Sequence, residues 1–251
     1  MAIDSTTPAS PSNGLKTAID TIVAPNEAFS ELRVSPTWLW AFVISAILMI
    51  AGYILERPAT VHASIGMIQH MLATSPLMTN LSDAQRANMI ANASHPSTLA
   101  AALGAVQLLA VSLIAALLNA VFLLVGNAVG RGTGTFKSLW CGSVHITIPT
   151  FGLMTLITGI ITMAVGAEHY NSINDLLGSV PNLGMIAPGL TGFGGSFLHT
   201  INVFVLWGLA LNIVMMRATA RVSGPIAWIA PLLITVVGAL SSAAFAHAFG
   251  G

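Results

Sequence analysis

No charged side chain stands between Arg86 and Arg131, and only Glu168 and Asp175 stand between Lys137 and Arg217. Within the first stretch, the apolar run from Leu99 to Val129 exceeds the roughly 20 residues an α-helix needs to cross about 30 Å of hydrocarbon. A short basic loop, Gly130 to Lys137 (GRGTGTFK), follows, and then a second apolar run to Val165 interrupted by Pro149. Lipid offers no water to backbone amides, so such runs cross as helices hydrogen-bonded within themselves. The two runs and their loop predict a transmembrane hairpin.

With 55 % hydrophobic and 6 % charged residues, the chain lies far from soluble proteins, in which about a quarter of residues are charged. The class predicted is an all-α polytopic integral membrane bundle with no second, water-soluble domain. A formal net charge of zero argues against nucleic acid as a partner. The lone Cys141 excludes an intrachain disulfide framework or a multi-cysteine metal site. Residues 1–13 are polar and read as a disordered tail. They have neither the basic start nor the apolar core of a signal peptide, so the first span is expected to be retained.

Leu15, Ile19, Ile22 and Val23 recur at helical spacing ahead of Pro25, and a second short helix presents Phe29 and Leu32. Both read as amphipathic interfacial helices and as the candidate partner-binding surface. Five spans are predicted within a single membrane domain over residues 14–249, at about 38–55, 99–129, 138–165, 197–216 and 225–249. Between the first two spans, Val61, Ile65, Ile68 and Leu72 form an amphipathic stripe. Ser82 to Gln85 (SDAQ) forms a capping box that opens a helix reaching Ser94. The uncharged stretch Leu183 to Gly195 reads either as a re-entrant piece or as a surface loop. Six of the basic residues (Lys16, Arg33, Arg131, Lys137, Arg217 and Arg221) fall on one side of this topology, against Arg57 and Arg86 on the other. That predicts a cytoplasmic N-terminus and an outer C-terminus.

The motifs of hydrolases, metalloproteases and phosphate-binding enzymes are absent, so no catalytic activity is expected. His62, Met67, His70 and Met71 invite a metal reading, but His62 and His70 lie about 80° apart on a helical wheel, and no metal or cofactor is expected. Gly130, Gly132 and Gly134 read as a tight inter-helix turn. His145 is the best intramembrane ionisable residue, and Pro149 marks a kink or hinge. Together with Asn119 and Asn202, these two residues define a candidate polar path. Gln107, Asn119, Asn202 and Asn212 read equally as pins between helices.

Several of these residues fall in a familiar order. Pro25, Phe29, Leu32 and Pro36 lead into span 1. Gly132, Gly134 and Phe136 open span 3, which contains Pro149, and Trp207 and a small basic turn follow before span 5. In this the chain resembles the prokaryotic branch of the Yip family, small polytopic membrane proteins named for interaction with Ypt/Rab GTPases. The resemblance implies five spans, no catalytic residues and a membrane adaptor or organiser. Its partner, a protein or membrane lipid, would be met through the N-terminal helices and the 130–137 loop, with homo-oligomerisation left open. The Asp-Leu-Tyr-Gly-Pro motif of eukaryotic members is replaced by Arg33-Val-Ser-Pro-Thr37, so Rab binding is not implied. The alternative is a permease or lipid transporter with its path near His145.

Overall fold

The structure, a computed structural model, describes residues 13–75, 78 and 80–249. The expected disordered tail lies outside the described residues apart from Asn13, whose side chain caps the first helix by accepting from the Lys16 N–H. The described residues are helical throughout, without strands beyond one isolated bridge between Asn182 and Asn202. Four helical segments are long and apolar enough to cross a membrane: Leu39–Thr74, Thr98–Val129, Phe136–Val165 and Ile226–Ala244. Their outward sides expose residues such as Ile47, Ile54, Leu103, Ile114, Ile160 and Leu233. A surface this apolar belongs in lipid, and the chain is a polytopic helical membrane protein.

Helices α1 (Gly14–Val23) and α2 (Pro25–Val34) occupy the predicted positions, and the buried face of α2 corrects the sequence reading. On α1 the buried residues are Thr17, Ala18 and Thr21, while Leu15, Ile19 and Val23 point outward. The reason is close packing. Thr21 donates its hydroxyl back to the Thr17 carbonyl, leaving small, internally satisfied side chains that let α1 lie tightly against the bundle. On α2, Phe29 and Leu32 are fully buried and belong to the main core with Leu123, Leu139 and Met215. They anchor α2 and present nothing to a partner. Ile22 is partly buried against the neighbouring cluster.

Span 1 does not stop at residue 55. It is the first part of α3 (Leu39–Thr74), which continues through Pro58. A proline costs an interior helix one hydrogen bond, but tertiary contacts hold both flanks here. Tyr53 donates to the Ala101 carbonyl and Arg57 to that of Pro96. Beyond the proline, Ala59 and Ala63 pack with Tyr170 and Leu176, and His62 Nδ1 bonds the Tyr170 carbonyl. The amphipathic stripe is thus the distal half of α3 and not a separate helix. Helix α4 (Asp83–Ser94) carries the predicted reciprocal capping box of Ser82 and Gln85.

Helix α5 (Thr98–Val129) ends in the glycine loop. Helix α6 (Phe136–Thr147) leads into a π-helical turn at Ile148–Leu153 and then α7 (Met154–Val165). The expected irregularity at Pro149 is this turn. Because Pro149 has no N–H, the His145 carbonyl is served instead by the Ile148 N–H. Ser45 on α3 donates to the Thr147 carbonyl, and Thr150 to that of Ile146. Insertions of this kind cluster at functional sites.

The glycine loop is a packing device, as its spacing predicts. An added Cβ at Gly132 would lie 2.2 Å from Asn127 Oδ1 and 2.5 Å from the Ala220 carbonyl oxygen. The Thr133 N–H donates to that carbonyl at 2.7 Å, and Thr219 donates to the Phe29 carbonyl. Helix α2, the 130–135 loop and the 219–222 turn therefore meet at one end of the bundle. Buried Asn127 both donates to the Gly134 carbonyl and accepts from its N–H. Asn127→Ala is expected to cost about 2 kcal/mol by leaving both groups unpaired, read as a lowered thermal midpoint in detergent.

Candidate functional site

The predicted fourth span is broken. Helices α8 (Ile173–Leu177) and α9 (Gly192–Thr200) precede α10 (Val203–Ala218), and the chain leaves helical geometry at Ile201 and Asn202. Asn202 makes this break tolerable in an apolar setting. Its Oδ1 accepts from the N–H groups of Phe204 and Val205, each at 3.0 Å. The Val203 N–H reaches the Pro181 carbonyl, and Leu183 bonds that of Ile201. Asn202 is therefore a helix cap, with its Nδ2 against Met154 Sδ. Helix α10, at 16 residues, falls short of a full crossing by itself. The second half of the uncharged 183–195 stretch begins α9, which is a helix packed on α11 (Ile226–Phe249).

Between α5, α10 and α11, with the π-helical turn behind, runs a groove of about 790 Å³. Its walls are largely apolar, built by Leu118, Phe122 and Val125 of α5 and Ile226, Leu233 and Val237 of α11. From Ala115 to Val129 the α5 wall rises roughly 21 Å, more than the roughly 15 Å of one leaflet's hydrocarbon.

A polar cluster interrupts the apolar wall. Asn119 Nδ2 donates to Ser143 Oγ and to Asn212 Oδ1, both at 2.9 Å. These bonds use both Asn119 amide protons and pin α5 to α6 and α10. They also leave the Asn119 Oδ1, the Asn212 amide protons and the Ser143 hydroxyl proton without a protein partner among the described residues. All three residues line the groove. Thr147 and Thr150 extend the stripe.

His145 lies off this wall. It follows Ser143 by two residues, about 200° around the helix, and its side chain is fully buried. Its Nδ1 bonds the Cys141 carbonyl at 2.8 Å, which a carbonyl permits only if Nδ1 carries the proton. The expected path through His145, Asn119 and Asn202 is therefore not assembled: of the three, only Asn119 faces the groove. The residue that joins it most directly, Asn212, was legible as an intramembrane polar residue. Ser143, Thr147 and Thr150 were legible as an i, i+4, i+7 polar stripe, a signal the focus on ionisable groups passed over. Among the described residues no group of three His, Cys, Asp or Glu side chains is placed to hold a metal.

In comparisons with known proteins, no family, no curated protein and no solved structure matches the chain.

Proposed function

We propose that this protein is a non-catalytic carrier of a lipid-like amphiphile, which enters the groove between α5 and α11 and finds a station for its polar group at Asn119, Ser143 and Asn212. One observation carries this reading: unpartnered donors and an acceptor line a long apolar groove between membrane-spanning helices. In hydrocarbon such groups cost free energy until something bonds them. A purely apolar occupant would leave them unsatisfied, and water alone would have no use for the apolar length. An amphiphile satisfies both.

In this reading α9 and α10 together make the fifth crossing, as a broken helix shielded by α11 and the π-helical turn. Irregular backbone at membrane depth is tolerated where protein or a cavity surrounds it. The N-terminal helices and the basic loops then lie on the cytoplasmic side, with α1 and α2 in the interface, and an inner membrane is the proposed location. The resemblance to the Yip family is kept as a proposal about ancestry. The motif residues Phe29, Leu32, Gly132 and Gly134 all serve contacts at one end of the bundle.

A second reading, the adaptor, is favoured by the outward stripe of Leu15, Ile19 and Val23, the last 71 % exposed. Native mass spectrometry of the protein released gently from its own membranes separates the two. A retained lipid-sized mass is expected. A stoichiometric protein partner with no lipid would favour the adaptor instead.

A further inference from the structure

Among the described residues, two other than glycine have a left-handed backbone, Arg131 at φ 52° and Arg221 at φ 54°. For an L-residue this conformation costs about 1–2 kcal/mol, and glycine or asparagine adopts it more readily. Both positions are arginine, and both are exposed. They lie on two loops that are fastened together, through the Thr133 N–H to the Ala220 carbonyl and through Gly130 and Gly132 against Val222. The rule that basic residues collect on the cytoplasmic side accounts for arginines in these loops. It does not account for arginine standing, in each loop, at a position whose left-handed backbone disfavours a side chain. Among the described residues neither arginine has an ion-pair partner, whereas Lys16 is paired with Asp20.

The loops stand at one end of the groove. Val129, which lines it, is two residues from Arg131, and Ile226 lines it just after the second loop. The third arginine nearby, Arg217, is held 5.0 Å from the ring of Trp228, and neither lines the groove. Guanidinium groups bind phosphate through paired hydrogen bonds, and a rigid platform lowers the entropy lost on binding.

We infer that Arg131 and Arg221 form a phosphate site at the mouth of the groove, so that the amphiphile is a phosphate-bearing anionic lipid. This rests on the groove reading above. The test is native mass spectrometry of the detergent-solubilised full chain with added phosphatidylglycerol or phosphatidylcholine, with and without excess inorganic phosphate. It compares the wild type with an R131G/R221G variant, whose glycines suit the left-handed backbone and so preserve the fold. The wild type should prefer phosphatidylglycerol by about tenfold. The variant should lose that preference while still binding lipid, with a thermal midpoint equal to or above the wild type. Excess inorganic phosphate should erode the headgroup preference, as at any guanidinium site; phosphate retained by a wild type whose lipid binding is unselective would show that the site takes free phosphate rather than a lipid headgroup and would overturn the lipid assignment. Lipid binding without headgroup preference in the wild type would overturn the inference and leave the groove reading standing, whereas no lipid binding at all would overturn both. A fall in the variant's thermal midpoint would show the arginines to be structural and likewise overturn the inference.

Discussion

Gly52→Val is expected to destabilise the bundle by about 3 kcal/mol or more, at the upper end of overpacking costs. A Cβ at Gly52 would stand 2.4 Å from the carbonyl carbon and oxygen of Thr155 and 2.5 Å from the Leu156 nitrogen. These are backbone atoms of the facing helix and cannot rotate away. Gly159 is the reciprocal contact, its added Cβ falling 2.5 Å from the Gly52 carbonyl oxygen, so Gly159→Val should behave alike. Close approach of helix backbones at small residues is how membrane helices associate without a hydrophobic driving force between them. Gly238→Ala is the control: nothing lies within 4 Å of a Cβ there, and the change should be neutral or slightly stabilising. Thermal unfolding in detergent, read by size exclusion after heating, separates the three.

The second large effect belongs to the groove. Asn119→Leu combined with Asn212→Leu removes the amide groups from the groove wall while keeping the branched side-chain shape. Each lost hydrogen bond to a ligand is worth about 1 kcal/mol, so the pair should slow passage of an amphiphile by about tenfold or more. Because two leucines satisfy each other, most of the fold's stability should survive. Replacing Asn119 alone would strand Asn212 in addition to Ser143 and destabilise the protein more while testing less. Filling the groove with Leu118→Trp should also slow passage, through its apolar length rather than its polar station.

How far the sequence foretold this molecule can be judged residue by residue. Local signals were legible wherever one interaction decides the outcome, as in the Ser82–Gln85 box and the proline-driven turn at Pro149; the Asn13 cap was not among them, since residue 13 read as the end of a disordered tail. The continuity of α3 through Pro58 was not legible, because it depends on Arg57, His62 and Tyr53 reaching segments 39 to 108 residues away. The burial of Phe29 and Leu32 was hidden for the same reason: an amphipathic pattern shows that a face is apolar, not whether lipid or protein covers it. On α1 the small residues Thr17, Ala18 and Thr21 pack inward while Leu15, Ile19 and Val23 stay outward, as an apolar face aimed away from the bundle would have it. The groove was out of reach, since it is a gap between α5 and α11, which are far apart in sequence. Its polar residues were in view individually. What joined Asn119 to Asn212 and excluded His145 was helix rotation.

The most direct test is a leaflet-exchange measurement. The protein is reconstituted into vesicles carrying a fluorescent phospholipid, and the outer leaflet is bleached with an impermeant reductant. If the groove carries an amphiphile past mid-depth, fluorescence falls beyond the outer-leaflet fraction at a rate that scales with protein content and drops in the Asn119→Leu, Asn212→Leu variant. Bleaching that stops at the outer-leaflet fraction, as in protein-free vesicles, would contradict a carrier function and leave the groove a place where a lipid merely rests.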